Sequence, residues 1–255
     1  MSNAQHAGGS ALLDVRIDSK VYPGANGEPV EAVRGFHLVL EDGSFTALLG
    51  PSGCGKTTIL RIIADLDAAF DGHLRWQAPP RIGFVFQEPN LLPWRTVRQN
   101  IELTQADAFS AGQLDELARR LGLAELMGRF PSELSLGLAR RVALARAFAS
   151  APNVLLLDEP FASLDESTAS RLRALLLDVR ARWRVTTLLV THNLREAIEL
   201  ADRLILLAPR PGHVVADLPI TLPRAQRNSG RIDELRRELM DMHPAVFAQA
   251  GQDSG

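Results

Sequence analysis

The chain of 255 residues has one cysteine, Cys54, and one tyrosine, Tyr22. A single cysteine excludes an intramolecular disulfide framework and fits a reducing compartment. Charge of one sign is also lacking: 28 Lys and Arg against 30 Asp and Glu leave a net charge of −2. The basic residues are scattered, with no aromatic-interleaved run, which argues against a nucleic-acid binder driven by bulk charge. Long hydrophobic runs are missing too. V-L-L-L at 154–157 and L-I-L-L-A at 204–208 fall far short of the roughly 20 apolar residues that span a bilayer. The opening M-S-N-A-Q-H-A-G-G-S-A has no apolar core of signal-peptide length. The expectation is a cytoplasmic protein; if it works at a membrane, another chain does the spanning.

With 46% apolar residues, the chain can bury a full core. Short apolar runs at 45–50, 81–86, 153–158, 186–192 and 203–208 read as buried strands. Helical patterns lie between them at 57–66, 113–121, 138–149 and 167–180. Strands that are apolar throughout and alternate with helices indicate an α/β fold with a mainly parallel sheet covered on both faces. The first 40 or so residues differ. L-L-D-V-R-I-D and A-V-R-G-F-H-L-V-L-E alternate apolar and polar, as half-exposed antiparallel strands do, and Gly43 after Asp42 supplies a tight turn. Residues 90–150 read as an inserted helical subdomain. Disorder is expected for 1–11 and from about Ala248, with one domain over 12–224 and a C-terminal helix and flexible tail over 225–255.

G-P-S-G-C-G-K-T-T at 50–58 matches the phosphate-loop pattern G-x-x-x-x-G-K-[ST] and sits between a strand and a helix, as that motif requires. Glycines let backbone N–H groups converge, and the helix N-terminus adds positive potential. The expected nucleotide cradle is therefore Gly50, Pro51, Ser52, Gly53, Cys54, Gly55, Lys56, Thr57 and Thr58. Lys56 can reach the β- and γ-phosphates, and the Thr57 hydroxyl can ligate Mg²⁺. A thiol this close to a helix N-terminus is expected to have a lowered pKa, so that alkylation of Cys54 would inactivate and MgATP would protect.

N-V-L-L-L-D-E-P at 153–160 is a hydrophobic strand ending in two adjacent carboxylates. Asp158 is placed to hold Mg²⁺, and Glu159, facing the other way, to deprotonate an attacking water. The bland alternative is a strand end with solvated acids. His192, in L-V-T-H, ends another such strand and can contact a γ-phosphate; structural use is the commoner fate of a lone histidine. His6, His37, His73, His213 and His243 have no metal-ligand spacing. No N-K-x-D guanine-reading motif is present, which disfavours a GTPase.

The order phosphate loop, F-Q-E-P, L-S-L-G-L, L-L-L-D-E-P, A-S-L-D, V-T-H resembles the ATP-binding cassette family over residues 12–215. The resemblance implies a head-to-tail homodimer in which each ATP, with Mg²⁺, lies between one subunit's phosphate loop and the other's signature motif. The usual signature, L-S-G-G-Q, is here Leu134-Ser135-Leu136-Gly137-Leu138. Ser135 is placed to cap the following helix, and Gly137 remains for close approach. Leu136 falls where φ should be negative, so its side chain need not strain the backbone. Leu138 removes a polar glutamine, a loss that bears on ATP-dependent closure. By the same resemblance Tyr22 stacks on adenine, unless it is a surface β-aromatic. Gln87 senses Mg²⁺ and the attacking water, and Asp165 speaks across the dimer. Asn193 replaces a common aspartate with little expected effect.

F-Q-E-P-N-L-L-P-W-R-T-V-R-Q-N-I at 86–101 and the stretch 206–224 resemble bacterial nitrate/sulfonate/taurine import cassettes. That implies an ATPase subunit, peripheral on the cytoplasmic face, driving integral membrane permease subunits alongside a solute-binding protein. Pro93-Trp94 would sit against the membrane subunit; the alternative for Trp94 is subdomain core. Two other functions share the catalytic residues: a cassette of a lipid-trafficking or export complex, and a soluble ATPase acting on DNA or the ribosome. The latter usually carries a long coiled coil or tandem cassettes, and neither pattern is present.

Overall fold

The computed structural model describes residues 10–24 and 26–247. The tails expected to be disordered lie outside the described residues, except that order begins earlier than expected: Ala11 opens the first strand, and Ser10 accepts a backbone hydrogen bond from Asp42. In chain order the elements are β1 (Ala11–Pro23), β2 (Pro29–Glu41), β3 (Phe45–Leu49), α1 (Lys56–Ile63), β4 (Asp71–Trp76), β5 (Ile82–Val85), α2 (Val97–Glu102), α3 (Ala111–Arg120), α4 (Leu136–Ala149), β6 (Val154–Asp158), α5 (Glu166–Trp183), β7 (Thr186–Thr191), α6 (Leu194–Leu200), β8 (Arg203–Leu207), β9 (Val214–Pro219), α7 (Ser229–Met242) and α8 (Pro244–Phe247).

Two sheets form. β2-β1-β4 is antiparallel, and the central sheet runs β5-β6-β7-β3-β8-β9, parallel except for β9. Strands β3, β6 and β7 are buried at every position, so their side chains alternate between two cores. Ala47, Leu49, Leu155, Leu157 and Leu189 face one core with α3, α4, α5 and α6. Leu48, Val154, Leu156, Leu188 and Val190 face the other with α1 and the antiparallel sheet. Each Leu and Val among them contributes on the order of 1.5–3 kcal/mol when fully buried, and burial on both faces is why these strands read as continuous apolar runs rather than alternating ones.

The strand order positions the chemistry. β6, β7 and β3 are neighbours, with Asp158 beside Val190 and Leu49 beside Thr191. Their carboxyl ends release the 158–159 acids, His192 and the phosphate loop on one edge, where open parallel sheets bind ligands. β5 adds Gln87 two residues beyond its end.

Candidate functional site

A cavity of about 350 Å³ opens at that edge, lined by Tyr22, Val30 and Ala32 on one side and by Ser52, Gly53, Gly55, Lys56, Thr57 and Thr58 below, with Gln87, Glu159 and Arg210 at the rim. α1 springs from the loop at Gly55, whose φ of 96° is a left-handed cap that a side chain would resist. Lys56 is only 5% exposed, and its ammonium donates to the carbonyls of Gly50 (2.8 Å) and Pro51 (2.9 Å). Gly50 and Pro51 therefore serve the loop by holding its lysine and do not line the cavity.

Cys54 corrects an expectation. The thiol turns away from the cavity into the core shared with Leu207 and Ile59, and the residue is 1% exposed. Burial pushes its pKa above the ordinary thiol value, outweighing the nearby Lys56 ammonium. The helix N-terminus lowers a thiol pKa only where water or ligand can solvate the thiolate; here the thiol is packed in the core, with the Lys56 ammonium 3.9 Å away as a polar neighbour that does not offset the burial. Cys54 contributes backbone to the loop and no reactive side chain.

Thr57 Oγ donates to Asp158 Oδ1 at 3.1 Å. Burial raises the Asp158 pKa, against the opposing Thr57 hydrogen bond. A hydroxyl and one carboxylate are hard oxygen donors of the kind Mg²⁺ takes when phosphate oxygens and water complete its shell, so the residues fit that ion. Glu159 is held differently. Its N–H bonds to Val190 O at 2.9 Å, and its backbone sits at φ 45°, a left-handed conformation that costs a non-glycine residue on the order of 1–3 kcal/mol. The kink parts the two carboxylates: Asp158 goes to Thr57, while Glu159 Oε2 lies 3.1 Å from His192 Nδ1. That hydrogen bond holds the Glu159 carboxyl below its usual range and raises the His192 imidazole above its own. At neutral pH Glu159 is anionic and can accept a proton.

Tyr22 is half-buried at the end of β1, and its hydroxyl donates to Asp67 Oδ2 at 2.7 Å. Lys20, itself buried, grips the other Asp67 oxygen and lies 4.5 Å from the centre of the Tyr22 ring. The ring is thus fixed at the cavity wall by a half-buried ion pair that no local motif announces.

Ser135, Gly137 and Asp165 lie outside the cavity, and His192 reaches it only through Glu159. Ser135 does cap α4, accepting from Leu138 N at 3.4 Å, and Leu136 takes helical backbone in the first turn. A Cβ on Gly137 would come 2.6 Å from the Thr168 methyl, so its close approach is to α5. Asp165 caps α5, accepting from Thr168 N (3.0 Å) and Ser167 Oγ (2.7 Å), bonds that hold its carboxyl far below the ordinary range. Asn193 caps α6 as an aspartate would. Trp94 is 71% exposed, which removes the subdomain-core reading.

The chain has a phosphate loop, a buried strand ending in Asp-Glu and a histidine paired with that glutamate, and known proteins resemble it as a whole. A family model described as ABC transporter matches residues 33–162. The chain belongs to the ABC transporter family. An aliphatic sulfonates import ATP-binding protein of Pseudomonas syringae pv. syringae (strain B728a) is 42% identical over 220 residues, covering 86% of this chain and 90% of that one. The dimeric structure of a bacterial ABC transporter cassette superposes with a TM-score of 0.70 at 28% identity, covering 82% of this chain and 98% of that one. A dimeric post-hydrolysis cassette bound to ADP and Pi matches with a TM-score of 0.69, also at 28% identity, with the same coverage. The cassette is an ATP-binding subunit whose reaction is ATP hydrolysis coupled to transport, and among its described residues no helix is long and apolar enough to cross a membrane.

Two arginines of the cassette escaped the motif reading. Arg140, buried on α4, donates to Pro160 O and Ala162 O, both at 2.6 Å, tying the signature helix to the turn that carries Glu159. Its only sequence signal was a charge on a helix otherwise rich in Leu and Ala. Arg210 also lines the cavity; it falls in the 206–224 stretch that resembles import cassettes but in no nucleotide-binding motif.

Proposed function

We propose that the 350 Å³ cavity is the MgATP site and that two copies of the chain close head to tail over two nucleotides. The observation that carries this reading is the continuity of phosphate loop, Thr57–Asp158 pair and Glu159 along one sheet edge. Loop N–H groups and Lys56 hold the phosphates, and Tyr22 meets the base. Thr57, Asp158 and Gln87 would hold Mg²⁺, which when bound would supply charge neutralisation for the phosphates. Glu159 accepts a proton from the water whose oxygen bonds the γ-phosphorus, while the bond to the β-γ bridging oxygen breaks and ADP leaves with its electron pair. His192, donating Nδ1–H to Glu159, offers Nε2–H to a γ-phosphate oxygen when protonated, and the raised pKa favours that form. Ser135, Gly137 and Asp165 act on the partner's nucleotide: the Ser135 hydroxyl and first-turn N–H groups of α4 form an exposed anion-receptive helix end.

The cassette sits peripherally on the cytoplasmic face and drives permease subunits that import a small organic anion, with aliphatic sulfonates favoured by the name of the relative, and it works with a solute-binding protein. Support for a membrane partner comes from the exposed Trp94 and from a groove of about 410 Å³ lined by Phe84, Phe86, Leu103 and Leu92, the last of which immediately precedes the Pro93-Trp94 turn in sequence. An export or lipid-trafficking role lacks any such specific observation. The test is Lys56→Ala: equilibrium titration should show MgATP binding lost and hydrolysis with it. Parent-like binding by a folded Lys56→Ala protein would remove the assignment of the cavity. Co-purification with permease subunits, and its loss on Trp94→Asp, tests the partner.

A further inference from the structure

The turn between β8 and β9, A-P-R-P-G-H at 208–213, is bonded to two walls of the nucleotide cavity at once. Gly212 N donates to Ala32 O at 3.0 Å and Arg34 N donates to Gly212 O at 3.1 Å, which fixes the turn to β2. A Cβ at Gly212 would stand 1.9 Å from the Cys54 carbonyl oxygen, so the turn's backbone rests directly on the phosphate loop. From that seat Arg210 Nε donates to Gly53 O at 3.2 Å. One of its terminal nitrogens lies 3.4 Å from where a Gly53 Cβ would be, and the side chain lines the cavity beside Ser52, Gly53 and Lys56.

Nε takes the anchor, and the two terminal nitrogens carry the remaining four N–H donors in a planar fork. Such a fork matches paired phosphate oxygens in spacing and charge better than it matches a base edge or a ribose. Its position agrees: Gly53 lies inside the loop that cradles phosphate, whereas Tyr22 occupies the β1 wall. The second anchor also sets the geometry, because a long side chain pinned at Nε loses less freedom on gripping a ligand than a free one.

We propose that Arg210 is a second cationic ligand of the nucleotide phosphates, held over the phosphate loop by the 208–213 turn. The inference rests on the assignment of the cavity to ATP. It makes the rim of the site a contribution of the β8–β9 turn, a segment outside every nucleotide motif.

The experiment titrates the full chain with MgATP, MgADP and adenosine by calorimetry at low and high salt, using the parent, Arg210→Ala, Arg210→Lys and Lys56→Ala. Arg210→Ala should weaken MgATP and MgADP about tenfold, the scale of one charge-assisted hydrogen-bonding contact. Adenosine should be unaffected, the salt dependence should become shallower, and Arg210→Lys should recover part of the loss. Parent-like MgATP affinity in Arg210→Ala overturns the proposal. So does an equal loss for adenosine and MgATP, which would make the arginine a prop for the cavity's shape. If Lys56→Ala also binds like the parent, the cavity itself has been misassigned; if Lys56→Ala fails to bind while Arg210→Ala is unchanged, only the role of Arg210 falls.

Discussion

His192 Nδ1 and Glu159 Oε2 stand 3.1 Å apart, and each shifts the other's titration. The Glu159 pKa is lowered, so its share of stability is present above the unfolded value of about 4.3 and is lost as pH falls through the folded one. The His192 pKa is raised, so its share is full below about 6.5 and is lost as pH rises through the raised value. The pair therefore acts between mildly acidic and neutral pH. Glu159→Gln should return the imidazole towards its ordinary pKa, read by NMR of the ring protons. Hydrolysis should fall by roughly 10²–10⁴-fold, as for loss of a general base, while MgATP stays bound and an ATP-dependent dimer accumulates in size-exclusion chromatography. Near-parent turnover would place the base elsewhere.

Asp158→Asn should behave otherwise. It keeps a partner for the Thr57 hydroxyl but loses the charge that faces Mg²⁺. The Mg²⁺ concentration for half-maximal hydrolysis is expected to rise about tenfold or more, with weaker nucleotide retention. An unchanged Mg²⁺ titration would show that the metal lies away from Thr57 and Asp158.

The thiol of Cys54 should be silent in the folded protein. Burial and a raised pKa both suppress the thiolate. Ellman's reagent should find no fast-reacting thiol under native conditions and one in denaturant. Rapid native labelling that MgATP slows would restore the reactive-thiol expectation.

Gly137 offers a packing test of the signature helix. Alanine gains about 1 kcal/mol of helix propensity over glycine, yet its Cβ would meet the Thr168 methyl at 2.6 Å. Gly137→Ala alone should show no gain or a net loss of about 1 kcal/mol in chemical denaturation. Adding Thr168→Ser, which deletes that methyl, should recover the difference. Strict additivity of the two changes would mean that they do not touch.

Leu136 and Leu138 can be judged by turnover. Leu136 already accepts helical backbone, so restoring glycine there should change little, whereas Leu138→Gln should raise ATP-dependent dimerisation if the missing amide limits closure. Ser135→Arg should abolish hydrolysis by placing bulk at the exposed end of α4. Normal turnover in that variant would leave the signature without a role in the partner's site.

The buried strands and the phosphate loop were legible because their signals are local: apolar runs that end in charged or glycine-rich turns. β4 and β9 were not. D-G-H-L-R-W and V-V-A-D-L-P are edge strands with no continuous apolar run: β4 has no buried position and pairs with β1 far off in sequence, while β9 alternates half-buried and exposed residues and returns beside β8 through the 208–213 turn. α2 and α6, six and seven residues long, are too short for a helical period to declare itself. Among site residues, those inside motifs were found. Arg210, which reaches Gly53 across 157 positions of chain, and the Lys20–Asp67 clamp on Tyr22 leave no local trace. Cys54 departs from expectation for a related reason: its neighbours in sequence form a helix N-terminus, but in space its sulfur is buried in an apolar core, and that burial outweighs the Lys56 ammonium beside it.

That enclosed sulfur has a practical side. A protein whose native thiol is shielded can receive a new cysteine at any surface position and be tagged there without first stripping its own. Spin labels or fluorophores placed at exposed positions with no part in the site, such as Asp107 or Glu125, one per subunit, would then give a distance ruler between two copies, or between this chain and a membrane protein, in an otherwise unaltered background.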